Sequence, residues 1–588
     1  MQASIMLGLA DIIIMNISRE NGRLERNMNN KEKYGLEGWL NNPHVDDASK
    51  AELKAITDSK ELENRFYGLL EFGTAGLRGT LGAGLRNMNI YTVRHATQAL
   101  ADVINESGVE NPHVVIAHDS RIMSREFAEE TACVFAANGI TSYLFDELRP
   151  TPELSFAILE LKCIAGVNIT ASHNPKEYNG YKAYWEDGAQ LAPEQAGDVF
   201  KRMCEMDMFE DVKTMPYAEA SSKIIPLTKE FDEKYLKVVL AQQINPEAIK
   251  ANSDLSIVYT PFHGVGYRLV PEVLKRAGFT NIATVAEQMV LDGNFPTVKS
   301  PNPENKEGFT RAIEMAQENG ADLIIGTDPD ADRIGIVVRE ENDEFITLTG
   351  NQTGAILLHY ILTSRKETGR LTENAAAVKT IVTSELAARI CEDFGVTLFN
   401  VLTGFKFIGE KIKMFEETGK YTFMFGYEES YGYLPGTYAR DKDAVAASLL
   451  VAEAAAYYAA KNMTLWDALC EIFAKYGIYR EKTVNLVMKG IDGLKKMAET
   501  MDKLRKNPPA QIGPFKVLEV KDYMDGIDGL PASNVLYYSL EGKNTVVVRP
   551  SGTEPKIKVY YLMTGSTAEE ALKAIDDAEA SFMKIIGE

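Results

Sequence analysis

Two apolar runs, ADLIIG and IGIVV, flank the loop GTDPDADRIG at residues 326–335. Each run reads as a buried strand, so the acids between them sit on a tight loop where alternate side chains converge on one point. A chain folded this way must accommodate three carboxylates together. Left uncompensated, Asp328, Asp330 and Asp332 repel and raise one another's pKa. A hard divalent ion such as Mg²⁺ relieves that repulsion and leaves coordination positions for water or a phosphate oxygen. A solvated acidic turn is the plainer alternative. A calcium hand fits poorly, because that loop wants Gly at its sixth position and Glu at its twelfth. Here those places hold Arg333 and Arg339.

Upstream, the strand-like run CIAGVNIT leads into Thr170-Ala171-Ser172-His173-Asn174-Pro175, followed by Asn179-Gly180-Tyr181-Lys182. This has the content of a nucleophile loop. A serine hydroxyl is a poor nucleophile at its free pKa and needs a base, a metal or a prior covalent state. His173 and Lys182 are nearby candidates for moving protons. Ser172 and Asn174 could equally cap a helix or shape an Asn-Pro turn.

A phosphate cradle is the reading of Arg549-Pro550-Ser551-Gly552-Thr553-Glu554-Pro555-Lys556-Ile557-Lys558, set between NTVVV and VYYL. Gly552 lets the backbone approach an anion, Ser551 and Thr553 offer donors, and Arg549 supplies a planar fork. Lys558 adds a point charge. Near it in kind is Gly426-Tyr427-Glu428-Glu429-Ser430-Tyr431-Gly432. Glu428 and Ser430 suit sugar hydroxyls, while Arg440 and Lys442 beyond them could hold a phosphate. A solvated charged loop explains this last stretch almost as well.

With 63 basic and 84 acidic residues the chain carries a formal charge of −21. That argues against nonspecific binding to nucleic acid or an anionic membrane. An anionic substrate must then be drawn by a local basic patch, to which Arg78 and Arg86 could add. The five cysteines, an odd count without CxxC spacing, favour a reducing cytoplasm. The N-terminal apolar stretch is interrupted by Asp11 and lacks a preceding basic residue, so it reads as a loose extension or the product of an upstream start codon rather than a signal peptide. Strand-like runs alternate with helix-length segments, as in HVVIAH then REFAEETACVFAANG, the pattern of α/β sheets with helices packed on them. The stretch LVAEAAAYYAAKNMTLWDALCEIFAKYG reads as a helix pair.

TASHNP, DPDADR, YEES and RPSGTEPKIK, in this order, resemble the phosphoserine, magnesium, sugar-binding and phosphate-binding loops of the alpha-D-phosphohexomutase family. FGTAGLRG at 72–79, YTPFHGVG at 259–266 and SPNPEN at 300–305 are similar to its phosphoglucomutase and phosphopentomutase branch. Two departures, Tyr427 and Lys558, bear on sugar preference and leave the reaction type unaffected.

The resemblance implies four domains around a central cleft, three related mixed-sheet α/β units and a smaller C-terminal α+β domain. The expected division is an extension over 1–35, then units at 36–220, 221–345, 346–475 and 476–588. It implies a mutase that interconverts glucose 1-phosphate and glucose 6-phosphate through a phosphoserine and a glucose 1,6-bisphosphate intermediate, which also serves as activator. Ser172 would carry the phosphoryl group and share Mg²⁺ with Asp328, Asp330 and Asp332. Lys182 would be the first choice for acid/base work once its pKa is lowered, with His173 and Arg78 assisting. Thr403, Gly404 and Lys406 resemble the specificity loop, and Arg333 joins the substrate-binding cations. Ribose, deoxyribose or mannose phosphates are alternative substrates; a Mg²⁺-dependent phosphatase and a non-catalytic sugar-phosphate sensor are alternative functions. The implied enzyme is a monomer or homodimer whose fourth domain moves to close the cleft.

Overall fold

The computed structural model describes residues 34–70, 72, 76–340, 342, 344–487, 490–550 and 556–587. Four sheets follow one another along the chain. The first runs in the order Leu77–Thr80, Tyr178–Trp185, Ala165–Ile169, His113–His118, Thr141–Phe145, Ile224–Leu227. Its last four strands are parallel and its first two antiparallel. The second sheet repeats the plan, with Leu323–Thr327 parallel to Ile257–Thr260 and antiparallel to Ile334–Arg339. The third does so again, with Thr422–Glu428 parallel to Ala375–Thr380 and antiparallel to Gly432–Leu434. The fourth is wholly antiparallel.

One device therefore recurs four times. Each motif loop joins two adjacent antiparallel strands: Ala165–Ile169 to Tyr178–Trp185, Leu323–Thr327 to Ile334–Arg339, Thr422–Glu428 to Gly432–Leu434, and Asn544–Pro550 to Lys556–Gly565. In the first three the loop leaves the carboxyl end of a parallel strand, where open α/β sheets place their ligands.

Burial explains how the loops come together. One apolar core runs under the first three sheets, taking in Val115 and Leu154, Tyr259 and Ile325, and Ala377 and Phe425. Helix Ala444–Ala459, apolar all round, is buried along nearly its whole length within that core, as such a composition requires. Its partner Leu465–Tyr476 starts at a Thr464 capping box, so the expected helix pair is present. The fourth sheet has its own core around Met501, Tyr538 and Phe582, and a seam of Val547, Tyr560 and Tyr523 joins it to Val401 and Phe405 of the third.

Two expected divisions need correction. Strand Ile224–Leu227 pairs with Thr141–Phe145, so the first sheet runs past residue 220. Strand Phe345–Thr347 straddles the division at 345. Backbone pairing, which the sequence does not display, decides where each sheet ends.

Candidate active site

Asp328, Asp330 and Asp332 are all buried, and one oxygen from each lies within 4.8 Å of the others. The loop is held from below by the YTPFHGVG segment. Val265 N–H donates to the Pro329 carbonyl at 2.9 Å, and a Cβ on Gly264 would stand 2.4 Å from Pro329 Cα. Only glycine permits that approach.

Ser172 meets this loop from the first sheet. Its Oγ donates to Asp328 Oδ2 at 2.8 Å and lies 3.2 Å from His173 Nδ1. The residue has φ of 52°, uncommon for a side chain other than glycine or asparagine and a conformation that clusters at functional sites. What holds it is Arg121, whose buried guanidinium donates to the carbonyls of Ser172 (2.6 Å), Pro175 and Tyr178 (both 2.9 Å), and Asn174. Arg78 donates to Asn174 Oδ1 at 3.0 Å, and Ser300 Oγ of SPNPEN donates to the His173 carbonyl at 3.1 Å.

Cations neutralise the acids. Lys182 Nζ bridges Asp330 Oδ2 at 2.7 Å and Asp332 Oδ2 at 3.0 Å; Lys442 Nζ reaches Asp332 Oδ2 at 3.2 Å and Asp441 at 2.8 Å. Burial pushes Asp332 up, but Lys182, Lys442 and Arg333 outweigh it and hold the carboxyl well below the usual range. Asp328, farther from these cations, is pushed well above it by burial and by its two acidic neighbours. For Lys182 the expected direction is reversed. Burial lowers its pKa, yet Asp330 and Asp332 more than offset this and keep the ammonium charged.

The acid cluster fits a hard cation. Each carboxylate has one oxygen anchored by protein donors: Asp328 Oδ1 by the Asp332 and Arg333 amides, Asp330 Oδ2 by Lys182 and Thr151, and Asp332 Oδ2 by the two lysines. Asp330 Oδ1 and Asp332 Oδ1 are buried without a hydrogen-bond partner among the described residues, and Asp328 Oδ2 faces Ser172. Buried carboxylate oxygens of this kind call for a partner, and three of them beside a hydroxyl form an oxygen-only donor set.

Glu428 and Gly404 meet directly, with the Gly404 amide donating to Glu428 Oε1 at 2.8 Å. Burial pushes the Glu428 carboxyl up to about 7 despite Lys442. Thr403 Oγ1 beside it is buried without a partner among the described residues. Lys406 Nζ donates to the Leu191 carbonyl at 3.3 Å, tying the third sheet's helix to the first unit. Ser430 lies half-buried on the turn after Glu428, and Arg333 pairs with Glu304 of SPNPEN at 3.2 Å. Arg549 and Lys558 face each other across the last hairpin, while Ser551, Gly552 and Thr553 lie outside the described residues. Arg440 departs from expectation. Its guanidinium is taken up by Glu416 and by the carbonyls of Thr437 and Ala439, so its loop turns onto helix Phe405–Thr418 instead of presenting a free fork.

Residues 69–208, 233–341, 349–476 and 501–581 match, in turn, phosphoglucomutase/phosphomannomutase alpha/beta/alpha domains I, II and III and the C-terminal domain. The chain belongs to the phosphoglucomutase/phosphomannomutase family. A phosphoglucomutase of Staphylococcus haemolyticus is 36% identical over 550 residues, 92% of this chain and 98% of the relative. One from Staphylococcus aureus strain MRSA252 is 37% identical over 514 residues, 85% of this chain and 91% of its own. In fold, the chain is similar to a putative phosphomannomutase from Thermus thermophilus, with a TM-score of 0.64 at 21% identity over 89% of this chain and 100% of the other. The open form of Paramecium parafusin gives 0.65 at 18% identity, over 88% and 95%.

For a phosphoglucomutase/phosphomannomutase family member, three residues at this site escaped sequence reasoning: Arg121, Thr151 and Asn168. The HDSR run at 118–121, polar residues closing an apolar strand, was the available signal for Arg121. No helix among the described residues is long and apolar enough to cross a membrane.

Proposed function

We propose that this family member is a phosphoglucomutase, interconverting glucose 1-phosphate and glucose 6-phosphate. The observation that carries the reading is Ser172 Oγ seated 2.8 Å from Asp328 Oδ2, at a cluster of three buried carboxylates. Relatives at 36% and 37% identity that bear that name support the choice of sugar.

Phosphoserine 172 is the working form. As the sugar hydroxyl oxygen bonds to phosphorus, the bond from phosphorus to Ser172 Oγ breaks, and the hydroxyl proton ends on Oγ. His173 Nδ1, 3.2 Å from Oγ, is the group in reach to relay it, while Lys182, held charged by Asp330 and Asp332, neutralises rather than accepts. Arg78 and the Lys182 ammonium bring positive charge to the transferring group, where position and charge dominate the chemistry. The resulting glucose 1,6-bisphosphate turns over and returns its other phosphoryl group to Ser172. Glu428 and Ser430 accept the sugar in both orientations, with Thr403, Gly404 and Lys406 shaping that side. Arg549, Lys558 and the 551–553 loop take the distal phosphate, with Lys442 and Arg333 between the two ends. Asp328, Asp330 and Asp332 would hold Mg²⁺, which when bound supplies charge to the phosphoryl oxygens.

The same reading divides the chain by its four sheets, with the first unit extended to Leu227 and the second to Thr347. It places the enzyme in the cytoplasm, which five cysteines without a disulfide among the described residues support, as a monomer or homodimer.

A coupled assay with Mg²⁺ and a trace of glucose 1,6-bisphosphate tests it, comparing glucose, mannose and ribose 1-phosphates on wild type and Ser172→Ala. Glucose turnover that falls at least about a thousandfold in the variant is expected. A preference for ribose 1-phosphate would make the protein a phosphopentomutase, and no turnover of any sugar would end the mutase reading.

A further inference from the structure

Thr151 links the first unit to the metal loop through two contacts with one residue. It opens helix Thr151–Leu161, and its Oγ1 donates to Asp330 Oδ2 at 2.8 Å while its N–H donates to the Asp330 carbonyl at 2.9 Å. Asn168 Nδ2 donates to the same Oγ1 at 2.7 Å, and both side chains are fully buried. An amide nitrogen only donates, so the Asn168 contact turns the threonine proton away from itself and toward Asp330. The direction of the bond is thereby fixed.

We propose that Thr151 is a positioning residue that sets the carboxylate plane of Asp330 for cation binding, with Asn168 setting the hydroxyl of Thr151. This rests on the cation-assisted phosphoryl transfer proposed above. Asp330 Oδ2 receives two donors, Thr151 Oγ1 and Lys182 Nζ at 2.7 Å, which leaves the buried Oδ1 as the free donor atom. Both controls come from one pair of strands, because Asn168 and Lys182 are register partners across Ala165–Ile169 and Tyr178–Trp185. Ser172 follows the first of these strands by three residues. The nucleophile and the orientation of one acid thus share a backbone, and Thr151 carries that register across to the second sheet.

The base of Thr151 is itself fixed. Arg149, two residues earlier, is buried, donates to Asp232 Oδ1 at 2.7 Å, and its amide donates to the His118 carbonyl at 3.2 Å. A side chain so anchored can transmit position, whereas one on a loose turn could not.

The test uses the full-length enzyme and Mn²⁺ as probe, with binding read from the electron paramagnetic resonance signal of free Mn²⁺. Thr151→Val keeps shape but not the donor; Thr151→Ser keeps the donor. The expected result is about tenfold weaker Mn²⁺ binding for Thr151→Val, the effect usual for losing a group that orients a ligand. Turnover number should fall with the KM for glucose 1-phosphate unchanged, and Thr151→Ser should restore both. Thr151→Ala carries the same expectation as valine and serves if valine prevents folding. Wild-type Mn²⁺ affinity in Thr151→Val or Thr151→Ala, or a serine variant as weak as valine, would overturn the positioning role alone. Wild-type affinity in Asp330→Asn would overturn the cation reading, and this proposal with it.

Discussion

Ser172 Oγ and Asp328 Oδ2, 156 positions apart in the chain, lie 2.8 Å from each other in a buried contact. Neither residue could reach the other without the shared core that brings the first and second sheets together. The contact joins the proposed nucleophile to the acid least neutralised by neighbouring lysines. Ser172 and the carboxylate cluster are therefore one structure, and perturbing either disturbs both.

Lys182 is the chief counter-ion of this structure. Lys182→Gln leaves Asp330 and Asp332 buried without their shared ammonium, and removing one partner of a buried pair costs about 3–5 kcal/mol. Urea unfolding in the presence of a chelator should show that loss, and saturating Mg²⁺ should recover part of it by binding the folded form. A variant as stable as wild type under both conditions would show that the pairing contributes nothing.

Gly264→Ala probes the support beneath the metal loop. The added Cβ would lie 2.4 Å from Pro329 Cα and 2.7 Å from its carbonyl oxygen, contacts the backbone must relieve by moving. A stability loss of about 1–3 kcal/mol is expected, as for other overpacked sites, with turnover falling more than tenfold. Measurement of melting temperature and turnover on the same sample separates the two effects; unchanged turnover would count against precise placement of the loop.

A pH dependence follows from Glu428. Burial raises its carboxyl to about 7, so the group is neutral below that pH and ionised above it. The ionised form accepts hydrogen bonds from sugar hydroxyls at both oxygens, so kcat/KM should rise as pH increases through about 7. Glu428→Gln should lower the rate and remove that rise. A variant that keeps the same limb would assign it to another group.

His95 tests acid sensitivity away from the site. Burial pushes its pKa down from 6.5 to about 4, so the folded protein holds it neutral where the unfolded chain binds a proton. Its contribution is fully present above pH 6.5 and is lost as pH falls toward 4, to the extent of about 3 kcal/mol. In chemical unfolding followed over that window, His95→Gln should show a shallower loss of stability than wild type. Parallel slopes would contradict the depressed pKa.

The sequence displayed the four loops because their chemistry is written in adjacent residues: alternating Asp at 328–332, Ser172 beside His173, Glu428 near Ser430, and cations around 549–558. It could not display partners chosen by folding. Thr151 looks like any helix-opening threonine, and only the approach of the second sheet gives it Asp330. Arg440 shows the converse, since a basic residue after the Glu428 loop reads the same whether its fork is open or taken up by Glu416. The direction of the Lys182 shift depended on which charges stood nearest, and those were the acids. The sheet edges near 220 and 345 were not legible because the short marginal strands Ile224–Leu227 and Phe345–Thr347 are recognised only by their pairing.

A core held in common by three sheets also governs how such a chain can diverge. A substitution at Tyr259 or Ala377 is felt by neighbours from more than one sheet, so it survives when compensated elsewhere. The three loops that core supports are therefore mechanically coupled through it. The fourth sheet, resting on Met501, Tyr538 and Phe582, answers mainly to itself and to the seam at Val547 and Tyr560. A substitution in that fourth core is absorbed locally, without disturbing the contact of Ser172 with Asp328.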